Sequence, residues 1–131
     1  MTTEKETRQA LKRMLANGPL TGLPVRRSDL ELLLGLALSQ FDARRAYTEA
    51  EVNERLSAWL ETFCGPFGVD HVTVRRCLVD SQYLERDRAG TTYRIHPHRN
   101  ATIEEAAGRE PANVLAEISS ERATRKRQHA H

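Results

Sequence analysis

Residues 70–96, DHVTVRRCLVDSQYLERDRAGTTYRIH, have the pattern of a helix that leads directly into a hairpin. Asp70 is a residue type typical of a helix N-cap, and small or apolar residues follow it every three or four positions, as on a buried helix face. These inner positions are Val74, Cys77, Leu78 and Ser81. The outer positions are Val72, Thr73, Arg76 and Asp80. The spacing therefore predicts a helix with Arg76 directed away from the core.

After Tyr83 the pattern changes from a helical to an alternating period. The segments LERD (84–87) and TTYRI (91–95) flank Arg-Ala-Gly at 88–90, and a glycine there can adopt the positive φ that a tight hairpin requires. A helix followed by a basic hairpin predicts a winged helix-turn-helix, with the recognition helix at 70–83 and the wing at 84–96. We therefore expect a mainly α fold with a small β-hairpin.

The composition is that of a single small globular domain with tails. The chain has 131 residues, of which 39% are hydrophobic and 29% are charged. No run approaches the roughly 20 apolar residues of a membrane span, and the N-terminus lacks the apolar core of a signal peptide, so we expect a cytoplasmic protein without membrane contact. Cys64 and Cys77 have no C-x-x-C spacing, which favours buried thiols over a disulfide or a metal pair.

The charge of the chain is distributed unevenly along the sequence. Residues 1–27 carry six basic and two acidic side chains, and residues 70–99 carry six basic and four acidic ones. The intervening segment, 28–69, carries three basic and seven acidic side chains. An excess of basic charge on the helix and hairpin is expected if that surface binds a polyanion while the scaffold does not.

The N-terminal segment, residues 1–19, is predicted to form a docking helix at 3–16 that ends before Asn-Gly-Pro at 17–19. Ser28 and Glu31 have the spacing of a capping box and open the next helix, which carries a wide apolar face. Leu32 and Leu36 lie on a different face of that helix, so the N-terminal helix or a second copy of the chain must cover them. We expect a homodimer through the N-terminal half, because these leucines and the apolar residues of the N-terminal helix together exceed what one short helix can hide, and because half-site reading favours two-fold symmetry. The covering residues would be Leu11, Met14 and Leu15.

Residues 45–47 are predicted to form the short strand that a winged helix needs between its first two helices. Thr48 and Glu51 repeat the capping box and open a second core helix, which is followed by a turn at 64–69. The winged-helix-like domain is thus expected at 20–99, followed by a C-terminal extension at 100–131 that is partly helical or disordered. Val114, Leu115 and Ile118 in that extension form a stripe that is too thin to dock firmly.

Three sequence blocks resemble a known family. They are NGPLTGLP at 17–24, YTEAEVN at 47–53 and RRCLVDSQYLERDRAGTTYR at 75–94. In these blocks the chain resembles the bacterial family called domain of unknown function 2087, whose members occur alone or fused behind arsenic-repressor-type (ArsR-type) winged-helix regulators. The resemblance implies an association with transcription regulation and a compact helical domain that ends in a hairpin. It implies no catalytic residues.

The candidate nucleic-acid-binding residues follow from the predicted helix and wing. Arg75 and Arg76 offer paired guanidinium donors to a phosphate or to a guanine edge. The alternatives are a pair of Arg76 with Asp80 one turn along, and a bridge from Arg75 to the acidic scaffold around Glu51 or Glu54. The hairpin arginines either follow a sugar-phosphate backbone or keep a sheet edge from aggregating. The full predicted set is His71, Thr73, Arg75, Arg76, Arg86, Arg88 and Arg94.

Other kinds of site find less support in the sequence. His96-Pro97-His98, His71 and the two cysteines are possible zinc ligands by type, but they lack the C-x₂₋₄-C or H-x₃₋₅-H spacing, so we expect no metal and no cofactor. Phosphate-loop, G-x-S-x-G and H-E-x-x-H motifs are missing, which argues against an enzyme.

The leading hypothesis is a winged-helix protein of the transcription-regulator type that binds duplex DNA. The alternative is a protein-protein interaction module with the same fold, because Val72 and Val79 face outward. An enzyme or a ligand sensor would need a pocket that the sequence does not indicate. Neither an operator sequence nor an effector ligand is indicated.

Overall fold

The computed structural model describes residues 4–65, 68–99 and 111–129, with side chains from Lys5 to Thr124 within those ranges. The described part is mainly helical with a small three-stranded antiparallel sheet, as the sequence predicts. The helices are α1 (Glu4–Met14), α2 (Arg27–Leu38), α3 (Glu49–Glu61), α4 (His71–Asp80) and α5 (Pro111–His129). The strands are β1 (Tyr47–Thr48), β2 (Leu84–Arg86) and β3 (Thr92–Ile95), and a 3₁₀ turn covers Pro97–Arg99.

The sheet has the order β1-β3-β2, and both pairs of strands are antiparallel. β2 and β3 form the predicted hairpin, in which Leu84 lies opposite Ile95. The strand expected at 45–47 begins at Tyr47, because Tyr47 is the residue whose side chain is buried and which pairs with Tyr93 of β3. β1 therefore joins the sheet by pairing with β3, so that β3 is the central strand.

The helix starts agree with the predicted caps in two of three cases. Thr48 and Glu51 form a reciprocal capping box on α3, and the Asp70 carboxylate accepts the Val72 N–H of α4 at 3.1 Å. The capping box predicted at Ser28 is wrong: α2 begins one residue earlier, and its Glu31 pairs with Arg27 at 3.1 Å (Nε to Oε1). Arg26 is the N-cap residue, so Ser28 lies inside the first turn and cannot act as the cap.

The core lies between α2, α3, α4 and the inner face of the sheet. Trp59 and Phe63 meet edge to face with ring centroids 4.7 Å apart, and both are buried. Leu36 is only 1% exposed and Leu32 is partly buried, so a single chain covers most of the leucine surface of α2. No described helix is long and apolar enough to cross a membrane.

The C-terminal helix α5 packs in parallel against α1. Val114 is buried, and Leu115 and Ile118 pack partly buried against the core, so the stripe docks, contrary to the expectation that it is too thin to dock firmly. Ion pairs flank the contact: Arg8 Nη2 lies 2.7 Å from Glu117 Oε2, and Lys12 Nζ lies 3.4 Å from Glu121 Oε1. A thin apolar stripe suffices here because α1 and the turn that follows it present buried leucines, Leu11 and Leu15. Residues 100–110 of the predicted C-terminal extension lie outside the described residues.

Candidate nucleic-acid interface

The orientation of α4 is set by its two fully buried residues. Val74 and Leu78 are 1% and 0% exposed and lie one turn apart on the inner face. Cys77 is half-buried beside them, and Arg76 is exposed on the other side of the helix, as the spacing predicts. Ser81 is an exception to the predicted inner face, because it is exposed and forms the C-cap of the helix.

α4 ends earlier than the predicted recognition helix at 70–83. The Tyr83 N–H donates to the Leu78 carbonyl at 2.8 Å and the Gln82 N–H donates to Val79 at 3.1 Å, which is the hydrogen-bond pattern of a Schellman motif. Gln82 occupies the left-handed position of this motif with φ of 60°. This turn directs the chain from α4 straight into β2.

Arg76 is a candidate residue whose guanidinium is available to a ligand. The side chain is exposed and makes no hydrogen bond or ion pair with any described residue. The alternative that the sequence leaves open, a pair with Asp80, is not formed. The charge of Arg76 therefore faces solvent without compensation from a direct partner.

Arg75, by contrast, turns into the scaffold. Its side chain is 14% exposed, Nη2 lies 3.2 Å from Glu49 Oε1, and Nη1 donates to the Asn53 amide oxygen. The same Glu49 oxygen accepts the Tyr93 hydroxyl at 3.3 Å. Arg75 thus links α4 to α3, and Glu49 of α3 also binds β3 through the Tyr93 hydroxyl. The partner, Glu49, lies two residues before Glu51 and five before Glu54, the acidic residues that the sequence suggested.

The hairpin arginines do not share one surface. Alternation along β3 buries Tyr93 and exposes Arg94 on the opposite face of the sheet, where Glu85 is its cross-strand neighbour. Arg86 lies opposite Tyr93, with its guanidinium carbon 5.8 Å from the centre of the Tyr93 ring. Arg88 is exposed in the loop between the strands. Of the three, the structure brings only Arg86 next to α4.

The hairpin loop is organised around Asp87. Its carboxylate accepts hydrogen bonds from the Thr91 N–H at 2.7 Å, the Thr91 hydroxyl at 2.8 Å and the Thr92 N–H at 3.2 Å. These bonds, that of the Thr91 hydroxyl foremost, lower the pKa of Asp87 to about 2. Gly90 supplies the positive φ, 72°, that the sequence predicts for this loop.

Two of the candidate residues lie at the start of α4. Thr73 is exposed, and its hydroxyl lies 3.5 Å from the Asp70 carboxylate. His71 is half-buried, with Nδ1 3.6 Å from Asp70 Oδ1.

A cavity of about 680 Å³ lies beside the start of α4, and Asp70, His71 and Cys64 are among the residues that line it. Burial raises the pKa of the Cys64 thiol to about 11. Within the described residues, no three His, Cys, Asp or Glu side chains are placed to hold a metal ion.

A cleft of about 220 Å³ separates α4 from the hairpin. Its lining consists of Arg75, Arg76, Val79, Asp80, Arg86 and Tyr93. Asp80 and Tyr93 are absent from the set predicted from sequence. The sequence does indicate both: Asp80 lies one turn after Arg76 on the helix, and the alternation along β3 places Tyr93 on its inner face. The cleft therefore joins two predicted arginines from the helix, Arg75 and Arg76, and one from the hairpin, Arg86.

These features define a small helical domain whose helix-hairpin face carries arginines. Residues 19–95 match the model of a family described as "Uncharacterized protein conserved in bacteria (DUF2087)", and the chain belongs to that family. No curated protein and no solved structure matches the chain. The family blocks quoted above include the residues that hold the helices together, since Glu51 caps α3 and Asn53 accepts from Arg75.

Proposed function

We propose that the chain is a winged-helix DNA-binding protein of the transcription-regulator type, with α4 as its recognition helix and β2–β3 as its wing. The order α2-β1-α3-α4-β2-β3 supports this proposal, as does the pairing of β1 with the hairpin. In such a protein the second helix of the helix-turn-helix enters the major groove. The nine residues between α3 and α4 exceed the 3–4 residues of a compact helix-turn-helix turn, so the two helices have more freedom in their crossing angle.

The observation that carries the proposal is the exposed, unpaired Arg76 on the outer face of α4. A guanidinium presents paired donors to a phosphate or to the O6 and N7 acceptors of guanine. Arg86 is next to it across the cleft, which concentrates positive charge where the helix and the wing meet. His71 and Thr73 belong to the same proposed interface at the start of α4, and Arg88 and Arg94 extend it along the wing.

Arg75 is not proposed to contact DNA, although it belongs to the nucleic-acid-binding set predicted from the sequence. Its guanidinium is bound to Glu49 and Asn53, so it orients α4 from behind. The proposed association with ArsR-type regulators is supported by the resemblance noted above. A cytoplasmic location follows from a duplex DNA ligand.

A homodimer through the N-terminal half is a further part of the proposal. Leu11, Leu15 and Leu36 are each 2% exposed or less within one chain, so uncovered leucines no longer argue for it. The remaining argument is that two-fold symmetry suits a protein that reads paired half-sites. Light scattering at micromolar concentration tests this directly, and a single 14.9 kDa species would overturn it.

The alternative function, a protein-interaction module, depends on outward apolar side chains of α4. Val79 packs partly buried against the core, and Val72 is half-buried. The apolar surface that these two residues offer to a protein partner is therefore small. The exposed arginines of the same face favour DNA over a protein as the ligand.

Fluorescence anisotropy with a random-sequence duplex tests the proposal at about 50 mM and about 200 mM salt. We expect binding that weakens with salt, and Arg76→Ala should flatten the slope of log K against log salt by about one unit if it contacts a phosphate. The matched control is Arg8→Ala, which removes the same charge from α1. Binding that is independent of salt, or an Arg76→Ala variant that binds as well as the parent, would contradict the proposal.

A further inference from the structure

We infer that Arg76 and Arg86 together hold a single backbone phosphate in the cleft between α4 and the hairpin. This inference rests on the proposed function and specifies which chemical group the interface binds at its centre. It also divides the predicted arginines, because it places two of them on one phosphate and leaves Arg94 on the other face of the sheet.

The charge balance of the cleft favours an anion. Arg75, Arg76 and Arg86 line it, but Arg75 is compensated by Glu49 at 3.2 Å. Asp80 is the only acidic side chain in the lining, against two guanidinium groups without an ion pair to a described residue. One positive charge is therefore left over, which suits one phosphodiester group.

Arg86 is held in place before any ligand arrives. Its guanidinium carbon lies 5.8 Å from the centre of the Tyr93 ring, within cation–π range. On its other side it lies against Gly90, where an added Cβ would come within 2.5 Å of Arg86 Nη2. A larger residue at position 90 would displace the Arg86 guanidinium, and the positive φ of 72° there also favours glycine. A guanidinium fixed in this way loses less entropy when it binds.

The size of the cleft also points to a small polar group. Its volume of about 220 Å³ lies below the roughly 300–1,000 Å³ of pockets that enclose organic ligands. Its walls come from α4 and from both strands of the hairpin. A cleft of this size admits one phosphate group, while the rest of a nucleic-acid backbone stays outside.

A double-mutant cycle on duplex binding tests whether the two arginines share one phosphate. If they do, Arg76→Ala, Arg86→Ala and the double variant should each flatten the salt slope by about one unit, and the losses in affinity should be less than multiplicative. As a matched control, Arg76→Ala combined with Arg94→Ala should show multiplicative losses, because Arg94 lies on the other face. A slope that falls by about two units in the Arg76/Arg86 double variant would overturn the shared phosphate while leaving DNA binding intact.

A second measurement separates the phosphate site from the proposed function. Inorganic phosphate is titrated into the labelled full chain, and the Arg Nε–H resonances are followed by NMR. We expect the Arg76 and Arg86 signals to shift with one common dissociation constant, and Arg76→Ala to weaken the shift of Arg86. If the parent binds no duplex but shows this joint shift, the proposed function fails and the phosphate site stands. If neither arginine responds to phosphate, the inference is wrong.

Discussion

Arg75 and Arg76 show how strongly position on a helix decides the role of a residue. They are adjacent in sequence and identical in type, yet one guanidinium is tied to α3 and the other faces solvent. Successive residues on a helix are rotated by about 100°, which is enough to separate an interhelical contact from a free surface. The sequence predicts the outward direction of Arg76, because Val74 and Leu78 define the inner face. It does not identify the partner of Arg75, since that depends on how α3 crosses α4.

This difference predicts opposite effects on stability. Arg75→Ala should lower the free energy of unfolding by about 1–3 kcal/mol, because Asn53 and Glu49 lose a charged hydrogen-bond donor. Arg76→Ala should change it by less than about 0.5 kcal/mol, since an exposed side chain without partners contributes little. Urea unfolding of the two variants provides the comparison, and equal destabilisation would mean that α4 is rotated from the orientation described.

The loop of the hairpin depends on pH through Asp87. The pKa of its carboxyl is lowered from 3.8 to about 2, so the ionised form is favoured in the folded hairpin. The stabilisation is therefore complete above the unfolded value near 3.8 and is lost as pH falls through about 2. An NMR titration of the side-chain carboxyl should give a midpoint near 2. A midpoint close to 3.8 would show that the bonds to Thr91 and Thr92 do not persist in solution.

At the scale of elements, the end of α4 decides where the hairpin begins. The sequence predicts the helix to 83, but the helix ends at Asp80 because Gln82 adopts a positive φ and the Tyr83 N–H turns back to Leu78. Glycine is the residue that usually marks such an end, and its absence here hides the signal. Arg99 supports the turn by donating to the Ser81 carbonyl at 2.9 Å. That contact joins residues 18 positions apart, which local patterns do not reveal.

Gln82→Gly should therefore stabilise the protein by about 0.5–1 kcal/mol, because glycine adopts positive φ without the cost that a Cβ adds. Ser81→Gly is the matched control: Ser81 has φ of −93°, so glycine there should be neutral or destabilising. Thermal or urea unfolding gives both values. A loss of stability in Gln82→Gly comparable to that of the control would contradict the left-handed geometry.

The elements also differ in how well the sequence predicts their starts. The box at Thr48–Glu51 and the cap at Asp70 form as predicted, because Thr48 and Asp70 occupy the N-cap positions, from which their side-chain oxygens reach N–H groups of the first turn. Glu51 completes its box although Arg45 also pairs with its carboxylate. At α2 the Ser28–Glu31 spacing is equally good, but the helix begins at Arg27 with Arg26 at the N-cap, so Ser28 lies inside the first turn. A capping motif therefore predicts a helix start only when its first residue occupies the N-cap position.

At the scale of the whole molecule, α1 and α5 bring the two ends of the described chain together. The contact rests on Val114 of α5 and on Leu11 and Leu15, which lie in α1 and in the turn directly after it. An ion pair from Arg8 to Glu117 lies at its edge. The apolar stripe of α5 is thin when taken alone, so sequence analysis predicts weak docking. What it misses is the matching stripe on a helix more than a hundred residues earlier, because such pairings leave no local signal.

Val114→Asp should detach α5, since it places an unpaired carboxylate at a position that is 7% exposed. Hydrogen exchange should then speed up in α1 and α5 while α4 and the sheet keep their protection. Asn113→Asp introduces the same charge at the neighbouring exposed position and should leave exchange unchanged. Unaltered protection of α1 in Val114→Asp would mean that the two helices do not pack together in solution.

The proposed function requires the face formed by α4 and the hairpin to bind duplex DNA. Backbone amide NMR of the full chain, with and without a random-sequence duplex at about 50 mM salt, tests it most directly. The proposal predicts shifts concentrated in residues 71–80 and 84–95, and little change in α1 and α5. The absence of shifts at saturating duplex, or shifts confined to α1 and α5, would contradict it.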